Sequence, residues 1–264
     1  MTTSERRIGD VILKLDGISL AFGGVKALTD ISFDVREHEV RAIIGPNGAG
    51  KSSMLNVING VYHPQHGTIT FHGHVRRGMN PHEAAANGIA RTFQNIALFR
   101  GMTVLDNIMT GRNLKMKSGF LEQAIWFGRA RREELENRLK VEEVIEFLEI
   151  QHIRKTPVGR LPYGLQKRVE LARALAADPK ILLLDEPAGG LNHEEVHVLG
   201  DLIRRIRDER HMTVLLVEHH MGLVMSIADH VVALNFGRKL AEGTPAQVQA
   251  DPDVIKAYLG SKDQ

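Results

Sequence analysis

The stretch GPNGAGKSS, residues 45–53, constrains the fold of this 264-residue chain more than any other. It matches the pattern G-x-x-x-x-G-K-[ST], follows the apolar run VRAII and precedes a segment with helical periodicity. Glycines let backbone N–H groups turn inward around an anion, and the N-terminus of the following helix adds a partial positive charge. The sequence therefore predicts a phosphate loop (residues 45–53) between a buried strand and a helix.

The side chains at the end of the phosphate loop have predicted parts in holding a nucleotide. Lys51 supplies a full positive charge to the β- and γ-phosphates, and Ser52 offers its hydroxyl to Mg²⁺. The predicted nucleotide contacts in this loop are Gly45, Pro46, Asn47, Gly48, Ala49, Gly50, Lys51, Ser52 and Ser53.

Two further apolar runs end in ionisable side chains. KILLLDEP ends at Asp185 and Glu186, and TVLLVEHH ends at a pair of histidines that begins with His219. Open α/β sheets bind ligands at the carboxyl ends of their strands. We predict that Asp185 holds Mg²⁺, Glu186 polarises the attacking water, and His219 stabilises charge on the γ-phosphate. The alternatives are a solvated strand end and a structural histidine.

Two other candidates carry a weaker signal. Gln94, in RTFQNIALF, follows a predicted strand, and its neutral amide can meet both a metal-bound water and the attacking water. Gln94 is thus a candidate for both the catalytic and the Mg²⁺ site, with a surface glutamine as the alternative. Phe22 follows the first predicted strand and can stack on the adenine ring. For Phe22 alone a core position is the commoner fate.

Hydrophobic periodicity along the chain predicts an α/β architecture. Strands are predicted at Val11–Phe22, Ile31–Ile44, Thr68–His72, Ile89–Phe93, Ile181–Leu184, Thr213–Val217 and Val231–Leu234, and helices at Lys51–Asn59, Pro81–Asn87, Leu165–Ala177 and His193–Arg210. The sequence TPAQ predicts a terminal helix pair, with Thr244 and Gln247 forming a capping box around Pro245.

The middle of the chain has a different pattern. From about residue 103 to residue 150 the periodicity is helical and charges are frequent, which predicts an inserted helical subdomain. One face of its main helix is predicted to carry Leu135, Leu139, Val144, Phe147 and Leu148.

Composition excludes several functional classes. The chain has no cysteine, so disulfides and thiolate metal sites are absent. Its formal net charge of +2 is too small to attract the whole molecule strongly to nucleic acid. Its apolar runs are far shorter than the roughly 20 residues that cross a bilayer, and MTTSERRIGD lacks the apolar core of a signal peptide. If the protein serves a membrane, we expect it to do so through a partner.

Taken in order, these features resemble the ATP-binding cassette (ABC) ATPases over almost the whole chain. In that family a signature turn reads L-S-G-G-Q, and the matching positions here are Leu161, Pro162, Tyr163, Gly164 and Leu165. The resemblance implies one ABC ATPase domain with an α/β P-loop core (residues 1–96 and 166–264) that includes an antiparallel β subdomain. It also implies an inserted α-helical subdomain (97–165) that ends in the signature turn.

The resemblance further implies ATP and Mg²⁺ as cofactors, ATP hydrolysis, and a head-to-tail dimer with a second ATPase subunit. Each ATP is then closed by the partner's signature turn, here through Tyr163 and Gly164. Two membrane permease subunits, a solute-binding protein reached indirectly and a peripheral place on the cytoplasmic face of the inner membrane are implied as well.

Departures from the family pattern point to one branch of it. Pro162 lacks the serine hydroxyl, Asn192 replaces an aspartate, and His220 also stands where aspartate is frequent. LPYG, AGGLN, RTFQNIALFRGMTVLDN and VIKAYLG together resemble the ATPases of branched-chain amino acid importers, which also include carriers of related small polar solutes such as amides and urea. That branch commonly pairs two different ATPase subunits, although a homodimer stays open.

Two alternatives remain at the level of sequence. An ATPase subunit of a lipid or lipopolysaccharide exporter is one, but such subunits usually keep the serine and aspartate lost here. A soluble cassette acting on DNA or the ribosome is the other. It is disfavoured because the basic cluster RARR is followed directly by two glutamates, as on a solvated helix face.

Overall fold

A computed structural model of the chain describes residues 8–76, 79–92, 96–115 and 129–259. The fold divides into two compact units, one formed by Met1–Arg91 with Lys180–Gln264 and the other by Thr92–Pro179. The predicted insertion, 97–165, is shorter than the second unit at both ends, and its boundaries stay a prediction. None of the helices described has both the length and the apolar composition needed to cross a membrane.

The first unit contains ten strands and six helices among the described residues. Its strands are β1 (Val11–Phe22), β2 (Val25–Arg36), β3 (Val40–Ile44), β4 (His66–Phe71), β5 (His74–Arg76), β6 (Ile89–Arg91), β7 (Ile181–Asp185), β8 (Thr213–Val217), β9 (His230–Asn235) and β10 (Arg238–Gly243). Its helices are α1 (Lys51–Ile58), α2 (Pro81–Ala86), α6 (His193–Glu209), α7 (Met221–Ile227), α8 (Pro245–Ala250) and α9 (Pro252–Leu259).

These strands form two sheets. The smaller is antiparallel in the order β2-β1-β4-β5, as the ABC resemblance implies. The larger has the order β10-β9-β3-β8-β7-β6, with parallel pairing from β9 to β6 and an antiparallel edge at β10. The predicted α/β class with an antiparallel β subdomain is therefore confirmed.

Both faces of the larger sheet are covered, which explains why its central strands read as continuous apolar runs. Successive side chains of a strand point to opposite faces. Ile43 accordingly packs in a cluster with α1 and the antiparallel sheet, while Ala42 and Ile44 pack in a second cluster with α7, α8 and α9. β3 thus leads into the phosphate loop from a position fixed on both sides.

The predicted strand Ile31–Ile44 was wrong at its start and in its continuity. The observed β2 begins at Val25, which pairs with Phe22 across a two-residue Gly-Gly turn. It ends at Arg36, and β3 starts at Val40 after His38 adopts a positive φ of 62°. At this left-handed residue the chain leaves the smaller sheet and passes to the larger one.

Two elements near the C-terminus escaped prediction. β10, with the sequence RKLAEG, is an edge strand whose residues are exposed or half-buried, so its apolar alternation is weak. α7 is only seven residues long, and its N-cap is His220, whose Nδ1 accepts the backbone N–H of Leu223 at 3.2 Å. The capping box of Thr244 and Gln247 that opens α8 is confirmed.

The second unit is helical among its described residues. It contains α3 (Val104–Met109), a 3-10 helix (Thr110–Lys115), α4 (Arg129–Phe147) and α5 (Tyr163–Ala176). The gap between Lys115 and Arg129 lies outside the described residues.

The predicted apolar face of α4 was wrong in its first half. Leu135 and Leu139 are 55% and 66% exposed. The buried stripe instead starts at Asn137, whose Oδ1 accepts a hydrogen bond from Arg112 Nε at 2.8 Å, and continues through Val141 to the predicted Val144 and Leu148. Because a polar asparagine, paired with an arginine, occupies a buried position, hydrophobicity alone does not show which face of the helix is buried.

Candidate nucleotide site

Neighbouring parallel strands bring most of the predicted site residues of the first unit to one edge of the larger sheet. β3 ends at Ile44, directly before the phosphate loop, and its register pairs Ile43 with Val217, the last residue of β8. Asp185, the last residue of β7, pairs with the same Val217. The phosphate loop, the two acids after β7 and the histidine after β8 therefore share this edge.

Lys51, the first residue of α1, is buried at this edge. Its Nζ donates to the carbonyl oxygen of Gly45 at 2.8 Å and to that of Pro46 at 3.0 Å. Burial lowers the pKa of Lys51, and nearby carboxylates, Glu186 foremost, act in the opposite direction. The ammonium group is thus held at the turn that an anion would occupy.

The phosphate loop is held against the turn between β9 and β10. Gly50, the N-cap of α1, has a left-handed φ of 99°. Gly237, in the turn between β9 and β10, donates its N–H to the carbonyl oxygen of Ala49 at 3.1 Å. A Cβ on Gly237 would lie only 2.5 Å from the carbonyl oxygen of Ala27 in β2. Glycine at 237 is therefore required for this close backbone approach.

Gly45 provides a test of this packing. A Cβ at Gly45 would overlap the carbonyl oxygen of Leu234, whereas a Cβ at Gly48 meets nothing within 4 Å. We expect Gly45→Ala to lower the free energy of unfolding by about 3 kcal/mol and Gly48→Ala by only about 1 kcal/mol, the cost of a positive φ. Urea unfolding monitored by circular dichroism measures both, and equal losses would contradict the clash.

Asp185 has one carboxylate oxygen engaged and one without a hydrogen-bond partner among the described residues. Its Oδ2 accepts a hydrogen bond from Arg91 Nη2 at 2.6 Å, and Arg91 Nη1 donates to Asn56 Oδ1, also at 2.6 Å. The Oδ1 atom is buried without such a partner. Arg91 was missed by the sequence reasoning, because an arginine inside RTFQ carries no signal until the strand order places β6 beside β7.

The donor set at this edge fits Mg²⁺. This ion prefers oxygen ligands and keeps several waters, so it needs few protein ligands. The buried Oδ1 of Asp185 and the hydroxyl of Ser52, an exposed residue, are both oxygen donors of this kind. Gln94, the third predicted metal-site residue, lies outside the described residues.

Glu186 and His219 face each other across the ends of β7 and β8. The Oε1 atom of Glu186 is 3.8 Å from Nδ1 of His219, whose side chain is 58% exposed. Glu186 has a positive φ of 46°, and its N–H donates to the carbonyl oxygen of Val217 at 2.9 Å. Glu186 thus has a strained backbone that is held by the neighbouring strand, a condition that is frequent at functional positions.

Glu218 is a further buried acid at this edge that the sequence reasoning missed. Its side chain is 0% exposed, and it accepts backbone N–H groups from Ala188, His219 and His220. The signal was present in TVLLVEHH, because a charged residue directly after a five-residue buried strand needs partners.

Phe22 lies at the end of β1 and is 47% exposed, so the core position weighed for it is wrong. Its ring contacts Tyr62 edge to face, with centroids 5.0 Å apart. The ring is exposed at this hairpin end, where Gly23 and Gly24 carry no side chains to cover it.

The signature turn (residues 161–165) begins helix α5 earlier than predicted. α5 starts at Tyr163 rather than Leu165, with Pro162 as its N-cap, and Gln166 N–H donates to the Pro162 carbonyl oxygen at 3.1 Å. The fixed φ of proline suits a helix start, so two more residues enter the helix. Tyr163 is 44% exposed, and Pro162 makes no side-chain cap.

Asn192, another departure from the family pattern, has a clear structural part. Its side chain accepts the N–H of Glu195 at 2.9 Å, and the Glu195 carboxylate accepts the N–H of Asn192 at 2.9 Å. This capping box opens α6 at His193, as predicted.

The fold and the geometry of this edge define a P-loop nucleotide-binding protein. The family model for ABC transporters matches residues 28–189, so the chain belongs to the ABC transporter family. A second model, described as branched-chain amino acid ATP-binding cassette transporter, matches residues 238–264. The chain is thus an ABC ATPase, as predicted.

Individual relatives agree with this assignment. The chain is 42% identical to the high-affinity branched-chain amino acid transport ATP-binding protein BraF of Pseudomonas aeruginosa, covering 94% of this chain and 98% of that protein. It is 39% identical to LivG of Escherichia coli K12, with the same coverage. A crystal structure of an ABC transporter cassette in its ADP conformation superposes with a TM-score of 0.83 at 32% identity, covering 95% of this chain and 99% of that one.

Proposed function

We propose that this chain is the ATP-hydrolysing subunit of an importer for branched-chain amino acids or related small polar solutes such as amides and urea. The observation that carries this proposal is the meeting of the phosphate loop, Asp185, Glu186 and His219 at one sheet edge. The substrate class is supported by the relatives at 39–42% identity, which are named as branched-chain amino acid transport proteins.

In the proposed mechanism the nucleotide is held by the phosphate loop and Lys51. Backbone N–H groups at the start of α1 and the ammonium of Lys51 neutralise the phosphates, and Phe22 offers its exposed ring to the base. Ser52 and Asp185, with Gln94, would hold Mg²⁺. When bound, this ion neutralises charge on the β- and γ-phosphate oxygens.

Hydrolysis in this proposal depends on the pair after β7 and β8. Glu186 orients the attacking water and takes up its proton, and the imidazole of His219 stabilises the charge that develops on the γ-phosphate. The 3.8 Å separation of Glu186 Oε1 and His219 Nδ1 lets both side chains serve the same phosphate.

The proposed working form is a dimer in which the signature turn of one subunit closes on the ATP of the other. Tyr163 and Gly164 would approach the γ-phosphate, together with the positive N-terminus of α5, a helix of 14 residues. Pro162 contributes neither a hydroxyl nor an N–H there. The chain would therefore form the weaker composite site with its signature turn and the stronger one with its phosphate loop, if its partner is a different subunit.

Pro162 can be tested by adding the missing hydroxyl. In a complex where this turn faces a competent phosphate loop, Pro162→Ser is expected to raise ATP turnover about 10-fold, the value of one hydrogen bond to a charged group. Pro162→Ala is the matched control, since it frees the backbone without supplying a hydroxyl. A further fall in turnover with serine would mean that the proline itself is needed.

A groove on the second unit is the proposed docking site for a permease subunit. It has a volume of about 300 Å³ and is lined by apolar Met102, Leu105 and Met109 with charged Asp106 and Arg138 at its rim. An apolar floor with a polar rim suits a short amphipathic helix. Docking there would place the chain peripherally on the cytoplasmic face of the inner membrane.

Isolation of the intact complex tests the proposed function directly. Co-purification should recover two permease subunits and a second ATPase subunit, and a ligand screen of the associated solute-binding protein should return branched-chain amino acids, amides or urea. Recovery of a complex without a binding protein, with ATP turnover stimulated by lipid, would support an exporter instead.

A further inference from the structure

Glu218 connects the loop after β7 with the loop after β8. Its Oε1 accepts the backbone N–H of Ala188 at 2.8 Å, two residues beyond Glu186. Its Oε2 accepts the N–H groups of His219 at 3.0 Å and His220 at 3.1 Å. The side chain is 0% exposed, so these hydrogen bonds are shielded from competing water.

We propose that Glu218 is a positioning residue for ATP hydrolysis, which holds the backbones of Glu186 and His219 in fixed relation to each other. This inference rests on the proposed function, because it acts through the two residues assigned to hydrolysis there. Glu218 itself touches neither nucleotide nor water in this scheme.

Main-chain contacts strengthen the connection. The carbonyl oxygen of Val217, the residue before Glu218, accepts the N–H of Glu186 at 2.9 Å. The residues on either side of Pro187 are therefore both held: Glu186 bonds to the main chain of residue 217, and Ala188 bonds to the side chain of residue 218. This double attachment maintains the positive φ of 46° at Glu186.

Only a carboxylate satisfies this arrangement. Three N–H donors point at two oxygens, one donor at Oε1 and two at Oε2. A carboxylate accepts at both oxygens, whereas the amide of glutamine accepts at one and presents an NH₂ group at the other. Either orientation of a glutamine would thus direct NH₂ at one of the two loops and release that loop.

Glu218→Gln tests the proposal against a matched control. We expect its maximal ATP turnover to fall about 10–100-fold while the ATP concentration at half-maximal rate changes less than about 3-fold, because positioning and not binding is lost. The control is Glu39→Gln. Glu39 is also 0% exposed, and it accepts the backbone N–H of Arg36 at 2.7 Å and pairs with Arg41 and His230, but it lies at the opposite end of β3. Its turnover should stay within about 2-fold of wild type.

Amide hydrogen exchange in the wild-type chain provides a measurement that does not require a variant to fold. The N–H groups of Ala188, His219 and His220 should exchange at least about 100-fold more slowly than those of exposed loops, although they lie outside helices and strands. Rapid exchange at Ala188 would overturn the proposal. In a folded Glu218→Gln protein, protection should be lost in one of the two loops and retained in α1.

The outcomes separate this inference from the proposed function. If Glu186→Gln abolishes turnover while Glu218→Gln turns over at the wild-type rate, the positioning role is wrong and the proposed function stands. If Glu186→Gln leaves turnover unchanged, Glu186 is not the catalytic base, and if the wild-type protein hydrolyses no ATP, the proposed function fails. Equal losses of turnover in Glu218→Gln and Glu39→Gln would show a general effect of removing a buried charge and would also overturn the inference.

Discussion

Replacing Glu186 by glutamine is expected to lower ATP turnover by about 100-fold or more, since general-base catalysis contributes roughly that much. The amide has nearly the same shape as the carboxylate, so ATP still binds and the two cassettes still close around it. Without a group to take the proton from water, the closed state persists. Size-exclusion chromatography with ATP and Mg²⁺ should therefore show a stable dimer, which disappears when ATP is omitted.

Glu209→Gln is a suitable control for Glu186→Gln. Glu209 is the last residue of α6, and its carboxylate forms an exposed ion pair with Arg205 at 3.0 Å. An exposed pair of this kind contributes little, so this variant should turn over like wild type and remain unable to trap ATP. Unchanged turnover in Glu186→Gln would remove Glu186 from the catalytic step.

Replacing Lys51 by alanine is expected to weaken ATP binding by about 100-fold. The ammonium already donates to the carbonyl oxygens of Gly45 and Pro46, so its loss removes both the charge opposite the phosphates and an internal support of the loop. It also removes a cation that faces the carboxylates of Glu186, Asp185 and Glu218, so their negative charge opposes the approach of phosphate more strongly. Titration with a fluorescent ATP analogue measures the affinity without requiring hydrolysis.

Lys239→Ala provides the corresponding control. Lys239 Nζ likewise donates to a backbone carbonyl, that of Ser32 at 2.6 Å, and to Glu242 at 2.8 Å, but it lies on the edge strand β10. The two variants lose the same charge, and we expect the affinity of Lys239→Ala to stay within about 2-fold of wild type. A comparable loss in both variants would indicate that net charge, and not the loop contact, controls binding.

The fold could be predicted wherever one pattern dominated. Val11–Phe22 and Thr213–Val217 were placed with the observed bounds because alternation in the first and a continuous apolar run in the second are unambiguous. The segment from Ile31 to Ile44 was wrongly predicted as one strand, because the positive φ at His38 depends on tertiary packing and cannot be recognised from composition. The exposed strand β10 was not predicted because its sequence lacks an apolar period.

The site could be predicted to the extent that single residues at strand ends carry their own signal. The phosphate loop, Asp185, Glu186 and His219 were predicted in this way, and the strand order places them at one sheet edge. The contact of Arg91 with Asp185 could not be predicted, because it arises only from the pairing of β6 with β7. Glu218 is a different case, since its partners are backbone N–H groups, which any sequence could supply.

The left-handed backbone of Glu186 creates a conflict between heat resistance and activity at one position. A residue with a Cβ costs about 1 kcal/mol in that conformation, and glycine would relieve this cost. Selection of variants for thermal tolerance alone would therefore favour glycine at 186, which on the proposed mechanism yields a more stable cassette without its catalytic base. Engineering for stability should therefore leave position 186 unchanged. Substitutions that raise stability should be sought at other positions, such as the exposed Leu135 and Leu139 of α4.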